Sequence, residues 1–225
     1  MTTDAKLACS RAYEQIKKKI IHNELDPRRS LNEIQLAKEL ELSRTPIREA
    51  LIMLEKEELI TRYEQGRGFF VKHFSLQQVH DLYEFRDIIE IATASKVIEK
   101  FTDQDIEELA GILEDVNRII EQNRPAEALV RAVDFHLYII KICTVNSFII
   151  NALRNCYEKL IVISWSCQDV DTCVSSAQEH QKILNAIQCR DLNELLKWHQ
   201  QHIRGARDRI LNLLRDDIQK LYFVP

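Results

Sequence analysis

Apolar residues recur along most of this chain at intervals of three and four, the period of a helix with one buried face. Leu7, Ala12, Ile16 and Ile20 open the series beside the basic run Lys17-Lys18-Lys19, and predict a helix over 7–21. Pro27 forbids its continuation. Asn32 offers an N-cap for a short helix over 33–40, with Leu36, Ala37 and Leu40 on the buried face. Ser43 caps the next, over 44–57, with Pro46 in the first turn, where a missing N–H costs nothing. Ile47, Ala50, Leu51 and Leu54 form its inward stripe. The period then shortens to that of strands over 59–63 and 68–73, joined across Glu64-Gln65-Gly66-Arg67 as a hairpin.

From Ser75 the helical period returns and stays. Ser75 with Gln78 forms a capping-box signal for a helix to about 100, and Thr102 or Asp103 starts a second, to about 121. Pro125 opens a third to 143, Asn146 a fourth to 167, and a fifth covers 174–188 after a polar break over 169–173. Asp191 with Glu194 caps a last helix, to about 221. The expected fold is mainly α: a winged helix-turn-helix in residues 1–74, then an all-α bundle of six helices in 75–225.

Composition narrows this further. Four Gly and four Pro in 225 residues exclude collagen-like and low-complexity chains and favour long helices. With 45% hydrophobic residues the chain can build a core. No run approaches 18 apolar residues and the N-terminus lacks a signal-peptide core, so a cytoplasmic protein without membrane association is expected. Its six cysteines include no C-x-x-C pair and read as reduced, mostly buried small hydrophobes. The net charge of −4 hides an asymmetry: residues 1–73 hold 14 basic and 12 acidic side chains, leaving 17 and 23 for the remainder. Attraction to phosphate is local under salt screening, so a slightly basic front can bind nucleic acid inside an acidic protein.

The front carries the chemistry for it. Arg44, Thr45 and Arg48 fall on the first turns of the second helix of the helix-turn-helix, the end that enters a major groove. Arginine can bond guanine bidentately, and threonine can meet a base edge or a thymine methyl. Arg67 on the wing can reach phosphate or the minor groove, with Gly66 and Gly68 allowing close backbone approach. The run S-R-T-P-I-R-E-A-L at 43–51, followed by L-x-K-E-E-L-I and G-R-G-F-F-V, resembles the DNA-binding domain of GntR-family bacterial regulators. One departure is Arg28, where that family usually places glycine.

In the helical remainder, His136, His180 and His202 each fall on an apolar stripe of a different helix, and inward imidazoles converging in a bundle are a usual way to build a metal site. Phe135-His136, then Glu179-His180 with Ile183-Leu184-x-Ala186-Ile187 and Asp191, then His202-Ile203, resemble the ligand-binding domain of the fatty-acid-regulator (FCD) subfamily of GntR proteins. The resemblance implies a divalent metal such as Zn²⁺ on an Asp-x3-His pair and two later histidines. The three histidines match, but Ala132 stands where the aspartate belongs, and Asp134 is turned about 200° away. Two readings stay open. Three histidines hold a metal with a position left for water or an effector carboxylate, or they donate hydrogen bonds to an anionic ligand without metal. The resemblance also implies that Arg86, of an R-x-x-x-E pair with Glu90, faces the ligand cavity as a carboxylate anchor, and that Asn146 lies near it. His199 reads as a surface residue.

The resulting expectation is no enzyme but a ligand-responsive, DNA-binding transcriptional regulator, a repressor sensing a small carboxylate. It would act as a homodimer on a palindromic double-stranded operator, since one recognition helix reads few base pairs. The alternative is a helical metal-dependent hydrolase on the three histidines, with His80-Asp81 as an HD dipeptide. No inward general base accompanies the histidines at a recognisable spacing.

Overall fold

The computed structural model describes residues 3–62, 68–164 and 169–222, and the chain separates into two compact units, 1–73 and 74–225. In the first unit, α1 (Thr3–Ile21) packs on α3 (Arg44–Lys56), and α2 (Glu33–Glu39) closes the third side. Ala12, Ile16, Ile20, Ile47, Ala50, Leu51 and Leu54 are fully enclosed, the helical stripes expected from their spacing. The Asn32 carboxamide accepts the Ile34 and Gln35 N–H groups and so starts α2. Ser43 occupies the corresponding position before α3 in an extended conformation, but its hydroxyl makes no cap bond. Pro46 contributes no N–H to this first turn, which reduces what a cap has to satisfy.

β1 (Ile60–Arg62) and β2 (Phe69–Val71) pair antiparallel, with Ile60 opposite Val71 and Arg62 opposite Phe69. Leu31, before α2, donates its N–H to the Phe69 carbonyl at 2.7 Å, adding a third rung that periodicity did not indicate. Gly68 leads into β2 at φ +91°, a backbone region closed to most side chains.

The second unit comprises α4 (Leu76–Lys100), α5 (Asp103–Glu121), α6 (Pro125–Cys143), α7 (Ser147–Ile163), α8 (Val170–Gln188) and α9 (Leu192–Tyr222). Ser75 and Gln78 form the expected capping box, and Thr102 forms another with Asp105. The expected start of the fifth helix at 174 is four residues late. Asp169 accepts the Thr172 N–H at 2.8 Å and its hydroxyl at 2.6 Å, a side-chain cap that turns the supposed polar break into the first turn of α8. α7 ends at Ile163, and the expected continuation past Ser164 lies outside the described residues.

Two apolar clusters flank α6. Phe135 and Ile139 join Leu109, Leu113, Ile183 and Ile187 on one side; Leu137 and Ile140 join Val79, Leu153, Tyr157 and Ile203 on the other. α6 is therefore buried on two faces, and the polar side chain it carries between them, His136, has nowhere to go but inward. Among the described residues, no helix is long and apolar enough to cross a membrane, and Cys9, Cys143, Cys156, Cys173 and Cys189 are free thiols.

Candidate functional site

In the first unit, α3 presents Arg44, Thr45 and Arg48 to solvent while Pro46 and Ile47 point inward, so one turn of helix separates reader from core. The Arg44 guanidinium lies 3.6 Å from the Glu33 carboxylate but remains 66% exposed, a loose pair that DNA phosphates or bases can outcompete. Gly66 and Arg67, the expected wing contacts, lie outside the described residues.

In the second unit, His136 of α6, His180 of α8 and His202 of α9 meet at their Nε2 atoms: His180 Nε2 is 3.0 Å from that of His136 and 3.2 Å from that of His202. Carboxylates fix two of the rings from behind. His136 Nδ1–H donates to Glu90 Oε2 at 3.1 Å, and His202 Nδ1–H donates to Glu179 Oε2 at 2.8 Å. Each of these Nε2 atoms therefore carries a lone pair. His180 Nδ1 is buried without a partner. At most one proton, on His180, can stand among three converging nitrogens, so hydrogen bonding alone leaves the cluster under-satisfied. Burial keeps all three imidazoles neutral, lowering His136 to about 4 and the other two well below their usual value.

The donor set fits a divalent cation. Imidazole nitrogens at about 2.0–2.1 Å from Zn²⁺ in a tetrahedral arrangement sit roughly 3.3 Å apart, close to the separations present. Carboxylate-backed histidines are the usual support for such ligands. The position of the expected aspartate, one turn before His136, is filled by Ala132, which lines the cavity; Asp134 is exposed and paired with Arg131.

Arg86 of α4 completes the polar wall, with Glu90 one turn further along the helix as its partner. Both are buried. Glu90 Oε1 accepts from Arg86 Nε at 2.8 Å and from the Tyr157 hydroxyl at 2.7 Å, while its other oxygen holds His136. Burial disfavours both charges, yet their mutual attraction wins: Glu90 is held well below the ordinary carboxylate range and Arg86 above its usual value. Arg86 lines the cavity, and its Nη2 is buried without a partner. Arg209 of α9 also lines it, held bidentately by Glu179 at 2.8 and 2.9 Å. Most of the remaining wall is apolar, including Val116, Leu129, Val133, Ile161 and Leu213.

Two expectations are corrected. Asn146 is exposed and caps α7 by accepting the Phe148 and Ile149 N–H groups, away from the cavity wall. The carboxamide oxygen is engaged by the backbone N–H groups that it caps. His199 is buried rather than superficial, with Nε2 3.2 Å from Glu90 Oε2 but off the line of a hydrogen bond. It continues the inward stripe of Leu195, His202 and Ile203, a signal present in the spacing. Glu179 as a support for His202, and Tyr157 as a partner of Glu90, depend on helix pairing and have no sequence signal. His80, Asp81 and Glu84 form an exposed group on α4, without the enclosure a hydrolytic centre needs.

Comparison with known proteins follows the same division. Residues 9–71 match the bacterial regulatory proteins of the gntR family, and residues 81–205 match the FCD domain. The Nta operon transcriptional regulator of Aminobacter aminovorans is 28% identical over 196 residues, covering 87% of this chain and 91% of its own. The gluconate operon transcriptional repressor of Bacillus licheniformis is 25% identical over 218 residues, covering 94% and 86%. In fold, the chain is similar to E. coli McbR/YncC (TM-score 0.77, 17% identity, covering 96% of this chain and 99% of that one). It is also similar to a GntR transcriptional regulator of Rhodococcus sp. RHA1 (TM-score 0.81, 18% identity, covering 91% and 97%).

Proposed function

Since the chain belongs to the GntR family of bacterial transcriptional regulators that carry an FCD domain, DNA-binding and effector-responsive rather than enzymatic, we propose how the two activities divide among its residues. Residues 1–74 read a double-stranded operator through Arg44, Thr45, Arg48, Gly66 and Arg67, and residues 75–225 bind the effector and pair two copies. The protein acts as a cytoplasmic homodimer on a palindromic site, as a repressor released or recruited by a small carboxylate. That a relative is named as the repressor of a gluconate operon supports the sign of this reading. A hydrolase has no support from the relatives.

The observation that carries the effector assignment is the convergence of three Nε2 atoms beside an unpartnered, buried Arg86 Nη2 in a largely apolar cavity. His136, His180 and His202 would hold a divalent metal, which supplies a Lewis-acidic point for an anion when bound. Arg86 binds and orients the effector carboxylate, Glu90 and Glu179 hold the histidine tautomers, and the apolar wall excludes water. Effector binding shifts the population of bundle arrangements and so the spacing of the paired recognition helices.

The test is a gel-shift titration of the purified protein against DNA flanking its own gene, repeated with a panel of small carboxylates. A sequence-specific complex whose midpoint moves at least fivefold with one carboxylate is expected, and that response should disappear in Arg86→Met. Binding indifferent to every carboxylate, in metal-loaded and metal-stripped protein alike, would overturn the effector reading.

A further inference from the structure

We infer that Ile34, in the first turn of α2, is a further specificity-determining residue, one that reads the C5 methyl group of a thymine at the edge of the major groove entered by α3. The inference rests on the operator reading above. It goes beyond that reading by giving a base preference to a helix that otherwise only crosses the DNA backbone.

α2 buries Leu36 and Ala37, and Leu40 after it, whereas Ile34 is 62% exposed among Asn32, Gln35 and Lys38. A β-branched residue is a mediocre helix former, so local propensity gives no reason for it either. A scattered apolar side chain on a surface is ordinary; the place of this one is not. Its chain neighbour Glu33 lies 3.6 Å from the Arg44 guanidinium, which sets the first turn of α2 beside the first turn of α3. Arg62 of β1, held by Glu55 at 2.6 Å, feels the Glu33 carboxylate as well.

Helical side chains lean towards the N-terminus of their own helix. Ile34 therefore projects from the end of α2 at which Arg44 stands. A cationic rim around one exposed apolar group matches a groove edge, where phosphates flank the bases and thymine alone offers a methyl group. Bringing that methyl against Ile34 removes apolar surface from water on both partners. A polar side chain at this position would instead ask for a donor or acceptor on the base.

An operator is first selected from a random duplex pool with the full-length protein. Each thymine of the selected sequence is then replaced singly by deoxyuridine, which pairs as thymine does but lacks the methyl group. Fluorescence anisotropy at fixed salt should show a position at which wild-type affinity falls about fourfold, the worth of one buried methyl group. Ile34→Ala should bind more weakly and be indifferent to deoxyuridine there, with an unchanged melting temperature because the side chain is exposed. Ile34→Gln, which can bond adenine N6 and N7 together, should shift the selected base at that position from thymine towards adenine. In Thr45→Ser, which removes that residue's own methyl group, the deoxyuridine penalty should persist. Its disappearance there would hand the contact to α3 and overturn the assignment. Deoxyuridine tolerated at every position, or a penalty that survives Ile34→Ala, would overturn it while leaving the operator reading intact. Failure to select any sequence would overturn both.

Discussion

Glu90 accepts hydrogen bonds from Arg86, Tyr157 and His136 while almost fully enclosed, so its charge is what makes three neighbouring positions tolerable. Glu90→Gln leaves a buried guanidinium without its counter-charge and should lower stability by about 3–5 kcal/mol, measured as the urea midpoint of the full chain. A companion Arg86→Met in the same protein should recover part of that loss, since replacing both charges removes the penalty. Arg48 stands at the opposite extreme, an exposed side chain near the start of α3. Arg48→Ala should leave the melting temperature unchanged and weaken specific operator binding by about 1–3 kcal/mol, read by fluorescence anisotropy against operator and scrambled DNA. At this scale the sequence was readable where a side chain's role depends on its own helix face, as for His136, His180 and His202. It misled where a polar residue serves the backbone, as Asn146 does. It was silent where the partner comes from another helix, as with Glu179 and His202.

Elements were legible because their punctuation is local. Asn32, Ser75 and Thr102 begin helices by satisfying N–H groups two or three residues ahead, and that geometry is written within four residues. The exception is α8, whose first turn carries Asp169, Asp171 and Thr172 and so reads as a loop until the Asp169 cap is recognised. That turn matters to the cavity, because Thr172, Cys173 and Ser176 line it. Asp169→Ala should fray the start of α8 and cost about 1 kcal/mol, seen as a small loss of helical circular dichroism together with weaker effector binding. An unchanged effector midpoint would separate the cap from the site. The wing shows the opposite limit. Leu31 bridges to Phe69 across 38 residues of sequence, a pairing that neither segment announces alone.

For the whole molecule, buried titratable groups set how stability follows pH. The unfolded chain protonates His136 near its ordinary value, whereas burial in the native bundle lowers it from 6.5 to about 4. Between those values the unfolded state binds more protons, so stability falls as pH falls from about 6.5 towards 4 and is fully present above that window. Glu90, also depressed in the native state, extends the loss to lower pH in the same direction. Thermal midpoints of the metal-free protein should therefore decline steadily on acidification; a flat profile over that range would mean that His136 gains a proton without unfolding. The three histidines have one more consequence. They stand on α6, α8 and α9, separated along the chain by 44 and 22 residues. An occupant gripping all three would bind distant stretches of the bundle into one opening unit, so their backbone amides would exchange with solvent at a shared slow rate and regain separate, faster rates when it leaves. The bundle would then register its occupant as a change in the timescale on which it breathes, even where its average shape stayed the same.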